Sequence, residues 1–163
     1  MRLLLFFITS LILSSLIAQE STIISYSVAK KLFADEKYVA VENALSPFEK
    51  MSDFSANYTL LLADARHKQK KYDLAIAGYT NVLKSDEKNY SAYFNRGAAR
   101  VFVEDYKNAL KDIEKAIDLK PDSAEMYYYR GYCEAELFDY KDAIESYSKA
   151  IELKPDYAAA YYN

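Results

Sequence analysis

The ten residues FDYKDAIESY, Phe138 to Tyr147, bring two tyrosines, three carboxylates and a lysine together. Such groups can exchange protons or hold a cation, so this stretch is the first place to look for a reaction. The rest of the inventory is thin. His67 is the one histidine and Cys133 the one cysteine. A Ser–His–Asp or Cys–His arrangement would have to use His67, and no G-x-S-x-G elbow is present. A zinc site needs several Cys or His ligands, and three glycines form no phosphate loop. Glu134 and Glu136 stand at i, i+2 and point apart on a helix. These residues therefore predict no catalytic side chains, no metal ligands and no cofactor.

The arrangement around Tyr140 recurs instead. EKYVAVENAL holds Tyr38, KKYDLAIAGY holds Tyr72 and EDYKNALKDI holds Tyr106, each 34 residues before the next. Other columns keep the same step: Ala29, Ala63, Gly97 and Gly131; Val41, Ala75, Ala109 and Ala143; Leu45, Tyr79, Ile113 and Tyr147; Phe48, Val82, Ala116 and Ala150. The units run 22–55, 56–89, 90–123 and 124–157, and a further one begins over 158–163.

Within the last unit Ala143, Ile144, Tyr147, Ala150 and Ile151 fall on one helical face. Ala124 to Leu137 forms a second run, with Asp122 expected as its N-cap and Glu125 three residues on. Asp139 marks the turn between the runs. Each unit thus reads as helix, tight turn, helix, loop. Pro121 and Pro155 close the last two units. Small residues such as Gly131, Ala143 and Ala150 let the two helices approach closely. Tyr140 is expected to fill the wedge where they diverge, and Tyr147 to reach the next unit. A helix pair cannot bury both apolar faces alone, so the units must stack. Acids and lysines are left for a solvated outer face.

The pattern resembles the tetratricopeptide repeat. Tyr127, Gly131, Ala143, Tyr147, Ala150 and Pro155 carry the resemblance in one unit, and Tyr93, Gly97, Ala109, Ile113, Ala116 and Pro121 in the unit before. Unit 56–89 keeps Ala63, Ala75 and Tyr79 but has Glu87 at the proline position. Arg96 and Arg130 replace the usual leucine before the glycine, and Arg100 and Glu134 the second aromatic, which predicts a variant packing of the first helices. Pro47 interrupts the second helix of the first unit, which reads as a degenerate cap. The resemblance implies an all-α fold: an α-solenoid of stacked antiparallel helix pairs forming a right-handed superhelix. It also implies a protein-binding scaffold with a concave groove lined by the first helices.

The stripe that the resemblance places inward holds Asn57, Leu60, Asp64 and His67, then Ser91, Phe94, Ala98 and Val101, then Glu125, Tyr128, Tyr132 and Ala135. Receptors of this family that take chaperone tails clamp a terminal carboxylate with lysine and asparagine. The matching positions here are Leu60, Asp64, Asn95 and Glu125, of which only Asn95 is kept. That ligand is not expected. The expected partner-binding set is Leu60, Asp64, Phe94, Asn95, Glu125, Tyr128 and Tyr132, an aromatic groove edged by acids for a peptide with apolar anchors and some basic residues.

Charge and the N-terminus complete the reading. Net charge is −3 with no basic block, which argues against a nucleic-acid partner. Met1 and Arg2 precede LLLFFITSLILSSLIA, Leu3 to Ala18, the layout of a secretory signal peptide cleaved after Ala18. Sixteen uncharged residues are short for a bilayer span of about 20, so no lasting membrane insertion is expected. The mature domain is then 19–163, exported to a periplasm or secretory lumen. The alternative is that it forms the N-terminal docking region of a larger exported enzyme or envelope-anchored protein. The halt of DYAAAYYN early in a further unit predicts that the natural chain continues. It also predicts that Ala158 to Asn163 fray or serve in self-association through an open C-terminal end.

Overall fold

The computed structural model describes residues 27–51 and 54–163. The proposed leader, residues 1–18, lies outside the described residues. Among the described residues no helix is long and apolar enough to cross a membrane.

The chain forms an α-solenoid of antiparallel helix pairs. Helix α1 covers 27–34 and is followed by α2 (Tyr38–Leu45) and a 3-10 turn (Ser46–Phe48). Then come α3 (Ala56–Lys68) with α4 (Tyr72–Ser85), α5 (Tyr90–Val101) with α6 (Tyr106–Leu119), and α7 (Ala124–Glu136) with α8 (Tyr140–Leu153). The short α9 (Ala158–Tyr162) packs on α8. Each second helix also packs on the first helix of the next pair, α4 on α5 and α6 on α7.

The repeating columns are the core. Ala29, Ala63, Val41, Ala75, Ala109, Leu45, Tyr79 and Ile113 are fully buried, and Ala143 and Tyr147 nearly so. Phe48 departs from its column by remaining half-exposed. Pro47 sits in the first turn of the 3-10 segment that ends α2, where a missing N–H and a fixed φ are tolerated. The glycines mark the closest approaches. A Cβ on Gly97 would stand 2.8 Å from Ile113 Cγ1 and 3.1 Å from the Ala109 carbonyl oxygen. One on Gly78 would stand 2.8 Å from Ala63 Cβ, so α3 and α4 touch almost backbone to backbone.

The turns inside the pairs share one geometry. Glu36, Lys70, Glu104 and Phe138, spaced 34 residues apart, have φ of 59°, 61°, 61° and 68°. Around each, the next residue's N–H reaches the carbonyl five back: Lys37 to Leu32, Lys71 to Arg66, Asp105 to Arg100 and Asp139 to Glu134, at 2.8–3.0 Å. The left-handed residue itself donates three back, as Lys70 does to His67 at 2.8 Å. This is the Schellman closure, which satisfies the last carbonyls of the first helix and reverses the chain in few residues.

Four local expectations are corrected. Ser123, not Asp122, is the N-cap of α7, and its side chain makes no capping bond. Tyr140 does not fill a wedge: it is 60% exposed and lies edge-on to Phe138 at 6.2 Å. Its equivalents Tyr72 and Tyr106 meet Phe102 and Tyr132 of the following pair, so these rings pack between pairs as well as within one. Ile144 is exposed, off the face that Ala143, Tyr147 and Ala150 bury. Residues 158–162 are helical rather than frayed. Ala160 is buried against the last pair, and Asn163 Nδ2 donates to the hydroxyls of Tyr147 and Tyr128 at 3.3 and 3.4 Å.

Not all charges went to a solvated outer face. Asp112 is buried and takes both guanidinium groups of α5, Arg96 Nη2 at 2.7 Å and Arg100 Nη1 at 2.6 Å. Arg66, also buried, is held by Glu49 through two bonds of 2.8 Å and by Glu42 at 3.3 Å. In the last pair Arg130 Nε and Glu134 both bond Ser146. These ionic ties are the variant packing that the arginines announced.

Candidate functional site

One cavity of about 570 Å³ takes side chains from α1, α3, α5 and α7, the first helix of every pair. Asp64, His67 and Lys68 come to it from α3, Phe94, Asn95 and Ala98 from α5, and Glu125 and Tyr129 from α7. Phe33, Lys70, Tyr72, Tyr79 and Phe102 complete the lining. A neighbouring cavity of about 380 Å³ lies among Val101, Phe102, Tyr106, Tyr128, Tyr129 and Tyr132. Phe102 and Tyr129 border both.

The seven expected site residues are thus distributed. Asp64, Phe94, Asn95 and Glu125 share the larger cavity. Tyr128 and Tyr132 line the smaller one. Leu60 lines neither; it packs between the clusters around Tyr79 and around Val82. A separate open depression of about 470 Å³, bordered by Tyr127, Arg130 and Lys149, involves none of the seven.

Asp64 organises the floor. Its Oδ1 accepts from the Tyr79 hydroxyl at 2.8 Å and from Asn95 Nδ2 at 2.9 Å, tying α3, α4 and α5 together. Burial holds its carboxyl above the usual carboxylate range, although both hydrogen bonds pull the other way. Tyr79 is pushed up by burial and then by the Asp64 charge, so its hydroxyl keeps its proton and serves as a donor. His67 is shifted down, first by burial and then by Lys68, which keeps the imidazole neutral at neutral pH. Its ring meets those of Tyr72, Tyr79 and Phe102 edge-on at 5.6, 6.5 and 5.9 Å.

The walls are aromatic. Tyr72 and Phe102 stack at 4.7 Å with only 3° between their planes. Phe94 meets Tyr129 edge-on at 5.5 Å. Tyr128 is more deeply engaged, touching the rings of Tyr129, Tyr147 and Tyr157 at 5.6, 5.9 and 5.2 Å. Phe102, Tyr79 and Tyr129 were not on the expected stripe. Phe102 had a faint signal in the sequence, as the one aromatic in a column that otherwise holds Ala34, Lys68 and Glu136. Among the described residues no group of three or more His, Cys, Asp or Glu could hold a metal ion.

Comparison with known proteins agrees with this architecture. Residues 94–158 match the family model of the tetratricopeptide repeat. The structure resembles that of MamA protein with a TM-score of 0.80 at 23% identity, covering 88% of this chain and 78% of that one. The fold is an α-solenoid like that of tetratricopeptide-repeat proteins. The first such repeat domain of Spaghetti (RPAP3), solved bound to the HSP90 peptide SRMEEVD, is similar at 27% identity with a TM-score of 0.64, covering 66% of this chain and 85% of that chain. The heat shock protein sti1 homolog of Schizosaccharomyces pombe is 40% identical over 62 residues, 38% of this chain and 10% of its own length. The chain spans a fifth or less of the curated relatives it matches. The tetratricopeptide match covers the α5–α8 region, where glycine, alanine and proline positions are best kept.

Proposed function

We propose that this protein is a non-enzymatic scaffold that holds a peptide segment of another polypeptide in the groove along its first helices. The observation that carries the reading is the 570 Å³ cavity fed by the first helix of all four pairs. It falls in the size range of ligand pockets. Its rings are fixed by packing on one another, so little rotamer freedom remains to be lost on binding. That the Spaghetti (RPAP3) domain is bound to a peptide supports the same class of partner. The acidic tail of that peptide is not the ligand read here, because Leu60, Asp64 and Glu125 stand where a carboxylate clamp would need donors.

The remainder of the reading is that the domain works outside the cytoplasm after loss of residues 1–18. Its binding partners are polypeptides rather than nucleic acid, given a net charge of −3 without a basic stripe. Intact mass of the natively expressed protein tests export. Capture of a randomised nine-residue peptide library by the purified domain tests the groove. Phe102→Ala removes a half-exposed ring that stacks on Tyr72 of the preceding pair and should cut capture at least about fivefold, the loss of one aromatic anchor, with unchanged circular dichroism. Equal capture by wild type and variant would assign the binding elsewhere.

A further inference from the structure

Among the described residues, the buried and half-buried carboxylates that tie helices together have cationic partners, with the exception of Asp64. Glu42 is paired with Arg66 and Lys71, Glu49 with Arg66, Asp112 with Arg96 and Arg100, and Glu134 with Arg130. Asp64 is different. Both of its hydrogen bonds come from neutral donors and both end on Oδ1. Among the described residues nothing donates to Oδ2 and no basic group lies within ion-pair distance. Lys68, one turn further along α3, acts on Asp64 only through its charge and beyond ion-pair distance, and both Lys68 and Lys70 are exposed. His67, the remaining nitrogen base of the lining, is neutral.

A half-buried carboxylate without a counter-ion is costly to keep ionised. Here that carboxylate borders the cavity, not a helix interface. Glu125 borders the same cavity and forms no ion pair among the described residues. The rings of Phe94, Tyr129 and Phe102 line the same cavity, and aromatic rings attract cations through their π systems. An acidic ligand would meet two carboxylates and gain only the two exposed lysines.

We infer that the groove takes its peptide through a lysine or arginine side chain, whose charged head meets Asp64, with Glu125 as second anion and the aromatic rings against its stem. This rests on the peptide-groove reading above and adds a polarity to it. Nothing covalent is involved: an ion pair forms and bound water leaves.

The test uses four nine-residue peptides of alternating leucine and alanine, acetylated, amidated and fluorescently labelled. They differ only at the centre, which is lysine, arginine, norleucine or glutamate. Fluorescence anisotropy against the full chain should place the lysine and arginine peptides about tenfold tighter than norleucine, as expected of a charge-assisted contact. Asp64→Asn should bring lysine and norleucine to within about twofold. A norleucine or glutamate peptide that binds as tightly as lysine overturns the cationic anchor. If that binding still falls with Phe102→Ala, the groove itself stands. No binding by any of the four overturns both. Should Asp64→Asn fail to fold, Glu125→Gln decides: the lysine peptide must weaken while norleucine does not, and an unchanged preference overturns the inference.

Discussion

At the scale of single residues, the molecule treats its buried charges in two opposite ways. Asp112 closes the interface between α5 and α6 with two guanidinium partners, and its side chain is 6% exposed. Replacing it with alanine leaves Arg96 and Arg100 facing a hole, and removal of one member of a buried ion group costs about 3–5 kcal/mol. Asp112→Ala should therefore lower the denaturant midpoint by more than any other single charge removal in the chain. A loss under about 1 kcal/mol, the range of surface pairs, would mean the triad is solvated. Asp64 behaves conversely. Its folded carboxyl holds a proton to higher pH than in the unfolded chain, so the folded state binds more protons between the two pKa values. Stability from this group falls as pH rises through that window. Asp64→Asn keeps an acceptor for Tyr79 and Asn95 but removes the slope. The melting-temperature difference, variant minus wild type, should grow as pH is raised from about 4. Glu42 and Glu49 have opposite signs: burial alone would raise Glu42, but Lys71, Arg66 and Gln69 hold it low, and Arg66 holds Glu49 low. Both act equally in the two proteins and cancel. A difference constant with pH would show Asp64 to be unperturbed. Little of this was legible beforehand. Arg96 and Arg100 stood out as departures, but Asp112 lies 16 and 12 residues further on, on another helix. Periodicity along one helix shows a charge as surface and cannot see what lies across the interface.

At the scale of elements, the helix pairs were legible because each column repeats in four independent copies, and small residues fix where the helices touch. The closures between them were not. Glycine or asparagine normally marks a left-handed residue, and here the positions hold Glu36, Lys70, Glu104 and Phe138. Side chains with a Cβ cost roughly 1–2 kcal/mol in this conformation. Phe138 is 76% exposed, so its ring recovers little of that by burial. Phe138→Gly should raise stability by about 1 kcal/mol, read as a shift in denaturant midpoint at constant slope. Destabilisation would mean that the edge-on contact with Tyr140 outweighs the backbone strain. The site was half legible for a related reason. Asp64, Phe94 and Glu125 lie on the stripe, and Asn95 at the clamp position, that the family resemblance placed on the first helices. Phe102 lies past the end of α5 and acts by stacking on Tyr72 of the preceding pair, a contact that no single unit contains. Leu60 had the right spacing but turned into the core, drawn by the apolar side chains of Val82 and Ala92.

At the scale of the whole molecule, packing among the described residues runs mainly between neighbouring helices and pairs, so stability is close to a sum of pairs and the interfaces between them. The α3–α8 stretch has helices of 12–14 residues and close glycine contacts, and its middle pair adds the Asp112 ties, while α2 is 8 residues long and passes straight into a 3-10 turn. Hydrogen exchange should accordingly slow from α2 towards α5 and α6 and quicken again at α9. Uniform protection would point to a single cooperative unit. The ionic ties also bear on how such a chain avoids errors of assembly. Units of near-equal shape invite a first helix to dock on the wrong second helix, within one molecule or between two. The position facing α5's arginines is Asp112, but its equivalents in the adjoining pairs are Gly78 and Ser146. If α5 were seated on α8, both guanidinium groups would press on a hydroxyl with no anion to meet them. Seated on α4 they would find a glycine. The three different polar sets thus work like differently cut keys: each pair admits its own helix and penalises a neighbour's. Domain-swapped dimers of this repeat array should become accessible once Arg96, Arg100 and Asp112 are levelled to a common apolar set.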